Sequence, residues 1–148
     1  MRTSRALLIA AGIASGAATP VGAQRSHIGF HIGYSFDLDE ALAGAQLHLP
    51  LGRGVELYPS FDYYFENVNS LIGFNVDLKI HGTRRNPFYV GGGLNFLRAS
   101  GGDTETGVNL FGGVEPRYGL THPYVELRLL LQNEATLLLL AGLNFTLF

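Results

Sequence analysis

Side chains able to carry chemistry are few in this chain of 148 residues, and their spacing withholds most reactions. Its five histidines are His27, His31, His48, His81 and His122. Two of them, His27 and His31, share a strand face but lie roughly 13 Å apart along it, too far for one metal ion. Four of the five (His27, His48, His81 and His122) fall near turns that belong to one end of the pattern described below, but without metal-ligand spacing, so no metal site is assigned. A lipid or ester hydrolase needs a nucleophile, a base and an orienting acid within reach of each other. The chain has no G-x-S-x-G elbow and no serine with a histidine at i±2 on a shared face. Gly91, Gly92 and Gly93 do not fit a phosphate loop, and no helix follows them; close packing is the better reading. No catalytic residue and no cofactor is therefore expected. What remains is a set of charges scattered through a largely apolar chain: Glu56, Asp62, Asp77, Lys79, Glu126 and Arg128.

The elements that must position these charges are strands. From Arg25 onward, apolar residues recur at period two, the mark of a strand with two unlike faces. Ile28, Phe30, Ile32, Tyr34 and Phe36 alternate with His27, Gly29, His31, Gly33 and Ser35. Seven further runs follow, with apolar faces led by Ala43–Leu49, Val55–Phe65, Ile72–Ile80, Phe88–Phe96, Val108–Val114, Val125–Leu131 and Leu137–Leu147. Each has roughly the 9–11 residues of a tilted strand that crosses a bilayer. Short connections at 37–40, 52–54, 66–70, 82–86, 100–105, 115–122 and 132–134 suit antiparallel neighbours, because a parallel crossover needs a dozen residues or more. An even number of strands in up-and-down order can close on itself and remove its edges. Pro59, inside the third run, predicts a bulge or one unmade ladder bond.

Composition decides which face points outward. Lys79 is the only lysine, so the exterior is not an ordinary solvated surface. The polar face consists of Gly, Ser, Asn, His and Tyr with paired signs of charge, a composition suited to the filled interior of an eight-stranded barrel. The six charges listed above are read as a polar network in that lumen. Counting back from the centre of the 66–70 turn puts Glu56 opposite Lys79, and Glu126 shares a face with Arg128. Aromatic residues gather toward strand ends: Tyr34, Phe36, Tyr63, Phe65, Phe74 and Phe96 toward one, Phe30, Phe88 and Phe145 toward the other. Odd-numbered turns and their flanks carry Asp37, Asp39, Glu40, Glu66, Asp103, Glu105 and Glu134, whereas even-numbered turns carry Arg53, Arg84, Arg85 and Arg117. An acidic rim thus opposes a basic one.

Residues 1–23 read as a secretory signal peptide, with Arg2 and Arg5 ahead of a short apolar core and Val21-Gly22-Ala23 at the cleavage site. Residues 24–148 form the barrel. With 10 basic against 12 acidic residues and no basic run, nucleic acid is not a partner. The absence of cysteine excludes disulfides, thiolate metal sites and an acylated lipoprotein anchor.

The whole pattern resembles the small OmpA/OmpX-type outer-membrane barrels: signal peptide, eight amphipathic strands and a final Phe148. The resemblance implies an all-β, eight-stranded antiparallel up-and-down transmembrane β-barrel in the bacterial outer membrane, with both termini periplasmic and the acidic rim outside. It implies outer-membrane lipids and the barrel-assembly machinery as partners, and a monomer. The terminal aromatic looks like the assembly signal, although Thr146, Asn144 and Gly142 hold the alternating positions before it, and Phe145 and Leu147 are out of step. The expected role is non-enzymatic: envelope support, a narrow channel or surface interaction. A lipid-modifying outer-membrane enzyme and an exported soluble ligand-binding barrel are the alternatives, and the short outer turns argue against an adhesin.

Overall fold

The computed structural model describes residues 25–67, 70–83 and 85–147. The signal-peptide expectation, and the terminal Phe148, lie outside them. Eight strands follow one another: β1 His27–Ser35, β2 Glu40–Gly52, β3 Val55–Tyr64, β4 Leu71–His81, β5 Phe88–Ala99, β6 Thr104–Val114, β7 Thr121–Leu131 and β8 Ala135–Thr146. Each pairs antiparallel with the next, and β1 pairs with β8, so the sheet is a closed up-and-down barrel. Closure leaves no unpaired edge, the condition for a sheet to sit in a medium that offers backbone groups no hydrogen bonds. No helix among the described residues is long and apolar enough to cross a membrane.

Side-chain parity assigns the two faces as the alternation requires. Large apolar residues cover the outside, with Ile32 70%, Phe88 61% and Val90 61% exposed. Along the eight strands, the outward positions carry a single charge among the described residues, Arg98, one residue from the end of β5 at the acidic rim. A soluble barrel would put this face inside, so the molecule is inverted relative to one. The aromatic pairs Tyr34–Phe36, Tyr63–Phe65 and Phe74–Phe96 lie toward the acidic rim, with ring centres 5.5, 5.4 and 6.5 Å apart.

Irregularities fall between β2 and β3. The register shifts between Pro50 and Gly52, placing the bulge at the turn end of β2 and not at Pro59. At Pro59 the pairing lapses instead: partners are lost between Gln46↔Ser60 and Leu49↔Leu57, yet the register is the same on either side. Ladder parity explains it. Phe65 donates its N–H to the Ala41 carbonyl (2.9 Å), so odd residues of β2 and β3 form the hydrogen-bonded pairs. Leu47 and Pro59 are such a pair, and proline has no N–H to give the Leu47 carbonyl. The Pro59↔Val76 pairing with β4 is unaffected.

Candidate functional site

Among the described residues polar chemistry is concentrated in the lumen, which is built in three layers. Nearest the acidic rim it is apolar. Leu42, Tyr64, Leu71, Leu130, Leu138 and Leu140 form a buried cluster that stops that end. The two leucines of β8 that break its alternation, Leu138 and Leu140, are 0% and 1% exposed. They point inward to fill this plug.

The middle layer is a hydrogen-bonded mesh. His31 bridges Gln46 Oε1 (2.5 Å) through Nδ1 and Asp62 Oδ1 (2.7 Å) through Nε2. Gln46 spends its amide N–H groups on the Tyr124 hydroxyl and Asn144 Oδ1, both at 2.8 Å. Its oxygen therefore accepts from His31, and both ring nitrogens donate. Asn75 donates to Asp62 Oδ2 (2.8 Å) and Ser60 (3.0 Å), and accepts from Asn95 (2.7 Å) and Asn109 (3.0 Å). Gln132, from the β7–β8 turn, donates to Asn95. Asp77 accepts from Asn109 (2.9 Å) and lies 3.1 Å from Arg128 Nη1. Arg128 also donates from Nε to Glu126 Oε1 (2.9 Å), which accepts on its other oxygen from the Tyr89 hydroxyl (2.8 Å). The guanidinium stacks 4.7 Å from the centre of the Phe111 ring.

Toward the basic rim the charges sort differently. Lys79, fully buried, donates to Glu115 Oε2 at 2.6 Å and sits 3.8 Å from the Tyr89 ring centre. The backbone N–H of Glu115 continues the β5–β6 ladder to the Pro87 carbonyl (2.8 Å), and its side chain is buried. Glu56 instead accepts from His48 Nδ1 (3.0 Å) and His81 Nε2 (3.1 Å) on one oxygen. Burial by itself raises the Glu115 carboxyl, but His122, whose Nδ1 faces Oε1 at 3.7 Å, and hydrogen bonds from Lys79 and Asn144, with the lysine's charge, overcome it and hold the group well below the usual carboxylate range.

All six charges singled out in the sequence are buried in this lumen. Register places Glu56 across from Lys79 as counted, yet the two do not pair; Lys79 reaches over β5 to Glu115, and histidines take Glu56. Glu126 and Arg128 do meet, with Asp77 as the third member. Asp62 pairs with His31. Glu115 shares the polar parity of Asn109, Phe111 and Gly113, the signal that could have added it to the network. Bare glycine walls make room for these side chains: a Cβ at Gly91 would collide with the Phe111 ring and the Leu78 carbonyl, and one at Gly93 with the Val76 carbonyl and Asp77. Among the described residues no serine hydroxyl bonds a histidine; Ser60 accepts from Asn75 and Ser70 pairs with Tyr63. The arrangement can neutralise and lock buried charges.

This fold is that of the small OmpA/OmpX-type outer-membrane β-barrels. The N-terminal β-barrel domain of Pseudomonas aeruginosa OprF is similar over 84% of this chain and 98% of its own, with a TM-score of 0.71 at 19% identity. Neisserial surface protein A matches 85% of this chain and 99% of its own, with a TM-score of 0.69 at 14% identity. A de novo designed transmembrane β-barrel aligns with 83% of this chain and 95% of its own, at a TM-score of 0.61 and 10% identity. No protein-family model matches the sequence, and no curated protein matches it.

Proposed function

We propose that the chain is a non-enzymatic integral protein of the bacterial outer membrane, a sealed barrel that serves as a structural element of the envelope and as a membrane platform for its acidic outer turns. The observation that carries this reading is the inversion of faces: strands that, among the described residues, turn one charge outward, around a lumen filled by hydrogen-bonded polar groups. The leucine plug argues for the structural role over a channel, since it puts an apolar stopper across the acidic end. Residues 1–23 direct export, the termini and basic rim face the periplasm, and the protein works as a monomer that meets outer-membrane lipids and, during insertion, the barrel-assembly machinery.

Fractionation with gel mobility tests the proposal. The mature protein should be found in detergent-extracted outer membranes and shift in mobility on heating. Recovery from the detergent-free periplasmic fraction, with no heat shift, would refute it in favour of a soluble exported barrel. In planar bilayers the protein should show no steady conductance, and an open channel would remove the sealed-lumen role.

A further inference from the structure

We infer that the basic rim is a selective surface for anionic phospholipids, taking their phosphates on a ring of arginines and their acyl chains on the apolar residues beside it. The inference rests on the reading of the chain as a membrane barrel. Each connection at this end carries a described arginine: Arg53 between β2 and β3, Arg85 between β4 and β5, and Arg117 between β6 and β7. Arg25, two residues ahead of β1, completes the ring, because closure sets β1 beside β8. Strand order spaces the four around the circumference. Arg25, Arg53 and Arg85 are exposed, and Arg117 is half-buried. No lysine shares the rim, since the one lysine, Lys79, is buried in the lumen. A guanidinium suits a phosphate better than an ammonium does, because its planar fork gives parallel N–H bonds to two oxygens.

The second observation is that the barrel's own acids do not neutralise this ring. Glu56 and Glu115, the acids at the same end, are turned into the lumen and buried. Glu56 is taken by His48 and His81, and Glu115 by Lys79 and Asn144. Among the described residues the arginine found in ion pairs is Arg128, deep in the barrel. The acids outside the lumen belong to the acidic rim. An apolar band about 25 Å tall separates the rims of such a barrel. Exposed charges are largely screened beyond about 8 Å at physiological ionic strength. The positive field of the basic rim therefore acts on whatever lies against it.

The residues next to the arginines decide the kind of anion. Tyr118 and Leu120, which follow Arg117, are 76% and 67% exposed; Leu51 and Phe88, close to Arg53 and Arg85, are exposed as well. The turn after Arg117 holds its apolar pair in place. Gly119 adopts φ +80°, a conformation open to glycine, and its carbonyl accepts from His122 Nε2 at 3.1 Å. The Leu120 carbonyl accepts from the Thr146 N–H at 2.9 Å. A soluble polyanion would cover the guanidinium groups and leave these apolar side chains in water. A phospholipid covers both, with its phosphate on the arginine and its glycerol and upper acyl chain on the apolar neighbours.

Fluorescence quenching by brominated lipid tests the inference. The chain has no tryptophan, so Tyr118→Trp installs a single reporter at the rim. The full barrel carrying it is folded into vesicles of equal parts phosphatidylcholine and phosphatidylglycerol, with bromine on the acyl chains of one lipid or the other. Bromine quenches the indole at contact, so the two samples read the relative occupancy of the site. At about 0.01 M salt, phosphatidylglycerol should be enriched about fivefold, the worth of one guanidinium beside an anionic surface, and at about 1 M salt the enrichment should vanish. Arg117→Gln should bring the site near parity, whereas Arg53→Gln, on the far side of the barrel, should leave the enrichment within about twofold. Phe36→Trp, at the acidic rim, should show no preference for phosphatidylglycerol. Equal quenching by both lipids in a heat-modifiable barrel would overturn the inference and leave the membrane reading intact. So would an enrichment that survives Arg117→Gln or high salt, or one repeated at Phe36→Trp. Quenching by neither lipid, with no heat shift, would overturn both.

Discussion

Replacing Arg128 with methionine tests whether the lumen network is a set of mutually dependent charges or only a filling of polar side chains. Arg128 is 1% exposed and serves two carboxylates at once, Glu126 through Nε and Nη2 (2.9 Å each) and Asp77 through Nη1 (3.1 Å). Methionine keeps most of the volume against Phe111 but leaves two buried acids facing each other. Asp77 retains only Asn109, and Glu126 only Tyr89, as hydrogen-bond donors. Removing one partner of a buried pair costs about 3–5 kcal/mol, because the remaining charge loses its compensation and stays desolvated. With a urea dependence of about 1–3 kcal/mol per M for a chain of this size, the unfolding midpoint should fall by about 2 M. The assay is urea titration of the barrel folded in phosphatidylcholine vesicles, read as the heat-sensitive gel band. Adding Asp77→Asn and Glu126→Gln to Arg128→Met should recover most of the loss, since a neutral set no longer contains an unpaired charge. A loss below about 1 kcal/mol in the single variant, or no recovery in the triple one, would refute the reasoning.

Three further outcomes follow from other parts of the barrel. Because the Glu115 carboxyl is held below its ordinary range, its contribution is fully present above the ordinary glutamate value of 4.5 and is lost as pH falls below it. Glu115→Gln should therefore lower stability at pH 7 and flatten its decline on acidification, measured as urea midpoint against pH. Gly93→Ala should cost about 1–3 kcal/mol, because its Cβ meets backbone that cannot move aside; at Gly73 the nearest atoms are 3.4 Å away or more, so Gly73→Ala should fold with wild-type midpoint or slightly above it. Pro59→Val restores an N–H opposite the Leu47 carbonyl and should stabilise the barrel by about 1 kcal/mol; an unchanged or lower urea midpoint would show that this bond is not the missing one.

Much of this architecture is legible in the order of residues. Alternation such as Ile28, Phe30, Ile32 and Tyr34 against His27, Gly29, His31 and Gly33 sets both strand type and facing, since side chains along a strand point to opposite sides in turn. Short turns set the antiparallel order, and the scarcity of lysine sets which face looks outward. Counting from one turn even places Glu56 across from Lys79 correctly, because neighbouring strands are tied by a ladder with fixed spacing.

Partner choice inside the lumen was beyond that reach. Lys79 passes over its ladder neighbour to bond Glu115, and Glu56 is left to two histidines. The Lys79–Glu115 contact joins segments that share no ladder, and Glu56 takes its partners from the strands on either side of it, away from its direct ladder position. They depend on strand tilt, on the stagger at which β1 meets β8 and on where glycines leave the wall bare, none of which is a local property of the chain. For the same reason Leu138 and Leu140, an interruption of the alternation when read along β8, prove to be part of an apolar plug only once β2, β3, β4 and β7 close around them. His27, His48 and His122, spread over 96 positions of sequence (122 less 27, counted inclusively), become neighbours at one mouth by that same closure. Residue order thus suffices for a barrel with a polar interior and two oppositely charged rims, whereas closure selects which interior groups meet, because distances across a closed sheet are set by its circumference and stagger and not by spacing along the chain.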